Sequence, residues 1–370
     1  MKTFKKELID KLEKSIYNNY GIENYDEHRF GKYEFKEVTF WQKQKNLLKK
    51  IIKYKTRERV NSLIQDARLS PYEAGLEKIW NFLNKQDKNL LVDIMAYRLL
   101  GYSKVKLPTN NKKYWEAFNL VKKLKNGNDT YDPHFMHFIL EKFNLNPIGI
   151  DINFYFNESG VAIDFINEQY AYKSGTKYIV GANKGDVVLD IGGCWGDTAL
   201  YFAHKVGESG MVYSFEFIPD NIKIHKLNTD LNPHLQSRIE IVEHPVSNKS
   251  DVKIYFKDNG PGSKIELQPF TEQTGTTTTL CIDDFVQRNK IEKVDFIKMD
   301  IEGAEPIALE GAIETIKKHR PQLAIAIYHS MEDFTNIPQW ILDLNLNYEI
   351  YLGHYTIHAE ETICFAKPRN

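Results

Sequence analysis

The chain has 370 residues, with 49 Lys and Arg against 50 Asp and Glu and a formal net charge of −1. That balance gives no general reason to expect binding to nucleic acid or to a membrane surface, although a local basic patch is compatible with it. The length allows about two domains, and a hydrophobic content of 42% supports a sizeable core. The N-terminal stretch "MKTFKKELIDKLEKSIYNNY" lacks the apolar segment of a secretory signal and carries acids that a transit peptide avoids. Its Leu8, Leu12 and Ile16 recur at helical spacing. In "SPYEAGLEKIWNFLNKQ", Ser70 is the expected N-cap and Pro71 the first helical residue. "NLLVDIMAYRLLGYS" is apolar nearly all round and reads as a buried helix ending at Gly101. "NKKYWEAFNLVKKLKNGND" reads as an amphipathic helix stopping at the Asn-Gly-Asn, and "DPHFMHFILEKFNLNP" as another ending before Pro147. Residues 1–148 are therefore expected to form a helical accessory domain, serving as a substrate lid or an oligomer surface.

From residue 149 to 370 the pattern changes. "INFYF" and "VAIDF" flank "NESG" and predict a β-hairpin. From Val187 onward strands and helices alternate: "VVLDIGG", helix "DTALYFAHKVG", "MVYSFEF", helix "IPDNIKIHKLNTDLNP" and "RIEIVEHPVS". "VKIYF" and "TTTTLCI" bracket a loop-rich insertion whose tip, "GPGSK" at 260–264, suits a loop or a lid. Then come "VDFIKMDIEG", helix "AEPIALEGAIETIKKH", "PQLAIAIYHS" and helix "NIPQWILDLN". "YEIYLGHYTI" and "EETICFAKP" close the chain as an expected antiparallel pair. The expected fold class is α/β: a doubly wound, mainly parallel sheet covered on both faces. Ligands of such sheets sit at the carboxyl ends of the strands. No apolar run reaches 18 residues, so no transmembrane helix is expected, and the expected location is the cytoplasm. The cysteines, Cys194, Cys281 and Cys364, are few and far apart, which fits a reducing compartment rather than a disulfide framework.

The first strand and its turn carry the clearest chemistry. Asp190, Gly192 and Gly196 follow D-x-G-x-x-x-G, with Gly193 between them. The glycines allow a tight turn and close backbone approach to a ligand. The helix starting near Asp197–Thr198 aims free N–H groups and its positive dipole end at the site, which suits a carboxylate. Asp190 suits an ammonium group, so the ligand has the two ends of an α-amino acid. Glu216, ending the second strand, can accept two ribose hydroxyls. Amino acid plus ribose describes S-adenosylmethionine. A dinucleotide would press a pyrophosphate against Asp190 and Trp195. Trp195 either covers the methionine end or packs, and Cys194 is expected as a small buried filler.

Further along, Asp300 ends the fourth strand with Glu302 and Glu305 behind it, and Tyr328 and His329 end the fifth. On neighbouring strands Asp300 and His329 would flank the transferred group. A histidine can take a hydroxyl proton near neutral pH, and an aspartate can orient it. Glu305 reads as a structural acid in a first helical turn. A divalent cation on Asp300, Glu302 and His329 is the less favoured reading, since no tight ligand spacing appears. The cluster "GHYTIHAEET", with His354, His358, Glu360 and Glu361, is either a solvated turn or a grip on a polyhydroxylated substrate.

The segments "VVLDIGGCWGDTALYFAHKVG", "VYSFEFIPDN", "VDFIKMDIEGAEPIALEGA" and "QLAIAIYHS" together resemble the FkbM-type methyltransferases of the class I S-adenosylmethionine-dependent superfamily. The resemblance runs from about Tyr170 to Phe365. It implies a seven-stranded sheet with its last strand antiparallel. It also implies a cofactor pocket lined by Asp190, Gly192, Gly196 and Glu216, with Glu243 and His244 near the adenine. The family commonly methylates oxygens of sugars and other natural products. "FEFIP" departs from the more usual "FEP" but keeps the acid in place. The expected partner is a small molecule or glycan, such as a nucleotide sugar or a bacterial surface polysaccharide, with no nucleic acid and no membrane insertion. A homo-oligomer is compatible with the sequence. The rival expectations are an NAD-dependent sugar oxidoreductase or epimerase, and a non-catalytic cofactor-binding protein. No G-x-G-x-x-G follows the first strand to support the former.

Overall fold

A computed structural model describes residues 3–35, 39–52, 56–66, 68–135, 138–260 and 263–369. Two compact units emerge, and neither is a single run of chain. One comprises 1–116, 327–340 and 350–364; the other comprises 117–326, 341–349 and 365–370.

The first unit is mostly helical. Helix α1 (Phe4–Ser15) is capped by the Thr3 hydroxyl, which accepts from the Lys6 amide, and it buries Phe4, Leu8 and Leu12 on one stripe. Helix α2 spans Glu73–Phe82 and α3 spans Lys85–Leu100. The expected Ser70 N-cap is corrected. Ser70–Tyr72 form a separate 3-10 turn with Pro71 inside it, and α2 begins only at Glu73. As expected, α3 is buried around most of its circumference and ends at Gly101, whose φ is +75°. Asn84 caps it by accepting from the Asp87 amide, and the buried Asp87 carboxylate accepts from the Leu352 amide at 2.9 Å.

The largest sheet among the described residues rests on three strands of the second unit: β1 (Val187–Ile191), β2 (Met211–Phe215) and β3 (Ile239–Val242). It continues through β4 (Phe296–Met299), β5 (Gln322–Ala326), β6 (Tyr348–His354) and β7 (Thr362–Pro368). The order is β6-β7-β5-β4-β1-β2-β3, a seven-stranded and mainly parallel sheet. All four residues of β4 are buried, as an apolar run in a sheet covered on both faces should be. Helix α4 (Asp197–Val206) follows β1 and α5 (Pro219–Asp230) follows β2, giving the alternation that the sequence predicts.

Three expectations are overturned here. The predicted helices over 111–147 are only partly present. Lys112–Val121 is helical, but Lys125–Tyr131, Leu140–Asn144 and Asn153–Phe156 form a three-stranded antiparallel sheet. Residues 136 and 137 of that stretch lie outside the described residues. Cross-strand pairing decides the matter: Leu140 and Phe143 become fully buried, and Lys125 pairs with Glu141 and Glu158. The predicted hairpin fails because "VAIDF" is a π-helical turn, Val161–Ile166, with its first five residues buried rather than alternating. Asn157 starts the turn by accepting from the Gly160 amide at 2.7 Å. The predicted helix 304–319 is two helices, Glu305–Glu310 and Ile313–His319. The Gly311 carbonyl turns to accept the Asp283 amide, and the Asp283 carboxylate caps the second helix through the Glu314 and Thr315 amides. The insertion tip at 260–264 includes residues 261 and 262, which lie outside the described residues.

Candidate active site

The parallel register places three polar residues in one row across the sheet: Lys298 on β4, Asp190 on β1 and Ser214 on β2. Cross-strand neighbours share a face, so register alone brings them together. Asp190 is fully buried. Its carboxylate accepts from Ser214 Oγ at 2.9 Å and from Thr198 Oγ1 at 3.0 and 2.9 Å, and it pairs with Lys298 Nζ at 3.2 Å. Lys298 Nζ also donates to the Gly192 carbonyl at 2.5 Å and the Ile191 carbonyl at 3.3 Å. Burial acts to lower the lysine pKa, but Asp190, Asp300 and Asp197 outweigh it and hold the ammonium above its ordinary value. The ammonium group that Asp190 meets in this structure is therefore that of Lys298, and Thr198 serves the same carboxylate.

The spacing of the glycines follows from the crowding around that row. Gly192 has φ +89°, and a Cβ there would stand 2.0 Å from the Asp300 carbonyl oxygen. Gly196 has φ +84° and is the N-cap of α4, with His225 against it. Gly193 leaves room for the Ser214 hydroxyl. Between them Cys194 takes φ +40°, and burial pushes its thiol well above the usual range, keeping it protonated. Trp195 is buried: its indole N–H donates to Asn221 Oδ1 at 3.1 Å, and its ring meets Phe156 edge-on. Of the two roles the sequence left open for it, packing is the one its contacts show.

Two further acids crowd the turn. Asp197, first residue of α4, is buried, and its carboxyl is hydrogen-bonded by Asp164 from the π-helical turn. Glu216 follows β2; its Oε1 accepts from the Phe217 and Ile218 amides at 2.7 and 2.8 Å, and its Oε2 from Asn221 Nδ2 at 3.1 Å. Burial raises both acids to about 7; it is partly offset at Asp197 by the attraction of Lys298 and at Glu216 by the hydrogen bonds from Ile218, Asn221 and Phe217. Asp190, Asp197, Glu216 and Asp300 thus feel the charge of one buried lysine, and Asp164 reaches the group through Asp197. A cationic ligand would complete that balance.

Asp300 follows β4 and accepts from the Tyr170 hydroxyl at 3.0 Å. Glu302, exposed, takes the left-handed conformation (φ +57°) in the turn that Gly303 completes. Glu305 is fully buried and accepts from the Ile301 amide at 2.7 Å, a capping role in keeping with the structural expectation. Glu243 is exposed and pairs with Lys226 of α5, while His244 Nδ1 lies 2.9 Å from the Thr278 carbonyl.

The remaining sequence-predicted residues belong to the first unit. His329 lies with its ring centroid 4.1 Å from that of the neighbouring Tyr328, the two rings tilted by 37°. His354 and His358 are buried, and burial lowers both to about 3, so they are neutral. His354 Nδ1 lies 2.8 Å from Thr362 Oγ1. His358 Nδ1 accepts from the Glu360 amide, and its Nε2 lies 3.6 Å from the buried Asp26. Glu360 pairs with Arg29 at 2.7 Å, and the Glu361 carbonyl accepts from the Tyr355 amide. A solvated turn does not describe this cluster, because both imidazoles are inside.

The sequence reading missed Lys298, Ser214, Asp164 and Asp197. Lys298 had a visible signal, a lone cation inside the apolar "VDFIKM".

Residues 180–350, just under half of the chain, match the family described as the methyltransferase FkbM domain. No curated protein matches. Among solved structures the chain is similar to a methyltransferase FkbM from Methylobacillus flagellatus KT, at 18% identity and a TM-score of 0.49. That alignment covers 80% of this chain and 59% of the Methylobacillus one, so this chain spans less than two thirds of that relative. Aeropyrum pernix fibrillarin, solved with natively bound S-adenosyl-L-methionine, gives 15% identity and a TM-score of 0.36 over 62% of this chain and 88% of its own. A SAM-dependent methyltransferase from Aquifex aeolicus gives 17% and 0.29 over 50% and 82%. The matched span runs from before β1 into β6 and contains both the Asp190 turn and the Asp300 turn. Over residues 180–350, then, the chain is similar to the methyltransferase FkbM domain.

Proposed function

We propose that this chain methylates a sugar hydroxyl, on a nucleotide-activated sugar or a surface polysaccharide such as a bacterial capsule, in the cytoplasm. The observation that carries the reading is the FkbM domain built around an acid-rich, buried cluster with a single lysine. S-adenosylmethionine is a cation at its sulfonium and ammonium centres, so its charge fits four acids set against Lys298, two of which burial keeps protonated up to about 7 until a cation arrives. A dinucleotide fits poorly, since its pyrophosphate would face the same acids without a compensating cation.

The residues that would hold the cofactor follow from their chemistry. Gly196 gives α4 no side-chain cap, which leaves its first amides to a carboxylate. Glu216 is assigned to the ribose hydroxyls, and Glu243 and His244 to the adenine. Asp190 and Lys298 act through the turn, by fixing Gly192 and Thr198. When bound, the cofactor supplies an electrophilic methyl group on sulfur. The protein must then align the acceptor oxygen and exclude water. A sugar hydroxyl is a weak nucleophile, and His329 is assigned to remove its proton. Asp300 and Glu302 are assigned to orient the acceptor.

Incubation with S-adenosylmethionine and a panel of nucleotide sugars should give a product heavier by one methylene. His329→Ala should abolish that product and leave S-adenosylhomocysteine affinity nearly unchanged. Undiminished turnover in His329→Ala would remove the histidine from the reaction. Tight cofactor binding with no product across a broad panel would favour a non-catalytic protein.

A further inference from the structure

Residues 40–59, "FWQKQKNLLKKIIKYKTRER", hold eight Lys or Arg and one Glu, a net charge of +7 inside a chain whose total is −1. The first part is the helix Phe40–Ile52, which contains no acid. Four of its large apolar side chains face water: Phe40 is 67% exposed, Trp41 79%, Leu47 52% and Leu48 58%. At 100° per residue these four fall within an arc of roughly 120°, which Gln44 and Ile51 share. Lys45 and Lys49 lie beyond one edge of that arc. Isolated exposed apolar residues need no explanation, but a contiguous stripe of two aromatics and two leucines does.

We infer that this helix lies in the surface of an anionic lipid bilayer, with Phe40, Trp41, Leu47 and Leu48 among the acyl chains and the lysines at the headgroups. Two independent features point to that one partner. The stripe needs an apolar medium, and the lysines, in a helix without an acid, need a negative one. A nucleic acid would satisfy the lysines and leave the stripe in water. A protein groove would cover the stripe but would not account for the missing acids. At 13 residues the helix is about 20 Å long, too short to span a bilayer. None of the described helices is long and apolar enough to cross one. Contact is therefore peripheral, and it stands whatever the acceptor of the methyl group is.

The test is co-sedimentation of the full chain with vesicles of phosphatidylcholine alone, and of phosphatidylcholine mixed equally with phosphatidylglycerol. The expected result is partitioning at least tenfold stronger on the anionic vesicles, weakening as salt is raised. Lys45→Glu/Lys49→Glu should reduce it more than tenfold, since each surface charge contributes roughly a fivefold change in partitioning. Trp41→Ser/Leu48→Ser should reduce it at least as much. Both variants should keep the wild-type melting temperature and S-adenosylhomocysteine affinity, because the altered residues touch neither core nor site. The inference is overturned if the wild-type chain stays in solution with anionic vesicles, or if both variants bind as well as wild type. It is equally overturned if Trp41→Ser/Leu48→Ser only dissolves a homo-oligomer in sedimentation velocity, which would make the stripe a contact between copies.

Discussion

Lys298→Met should destabilise the methyltransferase domain by about 3–5 kcal/mol in chemical denaturation, the usual effect of removing one partner of a buried ion pair. The side chain is 1% exposed and has a carboxylate and two backbone carbonyls as acceptors. Methionine fills most of the volume but donates nothing, so Asp190 would keep its charge with only two hydroxyls for company. The Gly192 carbonyl, at the tip of the turn, would lose its donor as well. Cofactor affinity should therefore fall along with stability, although Lys298 is assigned no contact with the cofactor. Asp190→Asn added to Lys298→Met should recover part of the loss, because the two sites share one interaction and their effects should not add. Simple additivity of the two single variants would show that the pair is not the unit of stability proposed here.

The second large effect concerns pH. Glu216 and Asp197 keep their protons in the folded chain up to about 7, whereas the unfolded chain releases them near 4.5 and 3.8. Between those values the folded state binds more protons, so their contribution is full below the unfolded pKa values and is lost as pH rises towards 7. The buried histidines His225, His354 and His358, lowered by burial to about 4, 3 and 3, act in the opposite sense. Their contribution is present above about 6.5 and is lost as pH falls through the folded values. The raw stability profile is thus a balance, and the informative quantity is the difference between wild type and Glu216→Gln. That difference should shrink by on the order of 2 kcal/mol between pH 4.5 and 7, against the wild type. A constant difference across the range would mean that folding does not raise the Glu216 pKa.

The sequence carried the architecture well where burial is two-sided. "VVLDI" and "FIKM" can only be central strands of a covered sheet, and the alternation with helices from 187 to 343 follows from them. It carried less where pairing is decided elsewhere. The polar strand Lys125–Tyr131 has no period of its own and exists because Leu140–Asn144 pairs with it. The π-helical turn at 161–166 is a buried apolar run whose length suits a strand equally well. In the site, the D-x-G-x-x-x-G spacing was legible because glycine is required by both φ and crowding. The sheet register was not legible, and it is register that sets Lys298 and Ser214 on either side of Asp190. An isolated lysine inside an apolar strand signals that something acidic lies across from it, but not which acid.

Residues around the β1 turn form an acid-rich cluster, and a cationic methyl donor is the ligand expected to complete it. Calorimetric titration of the full chain with S-adenosylmethionine near pH 7, repeated in two buffers of different ionisation enthalpy, tests it most directly. Binding should occur with proton release, since a bound sulfonium favours the ionised forms of Asp197 and Glu216. Release should fall in Glu216→Gln. Saturable binding of NAD with none of S-adenosylmethionine, or S-adenosylmethionine binding that takes up protons, would contradict the account.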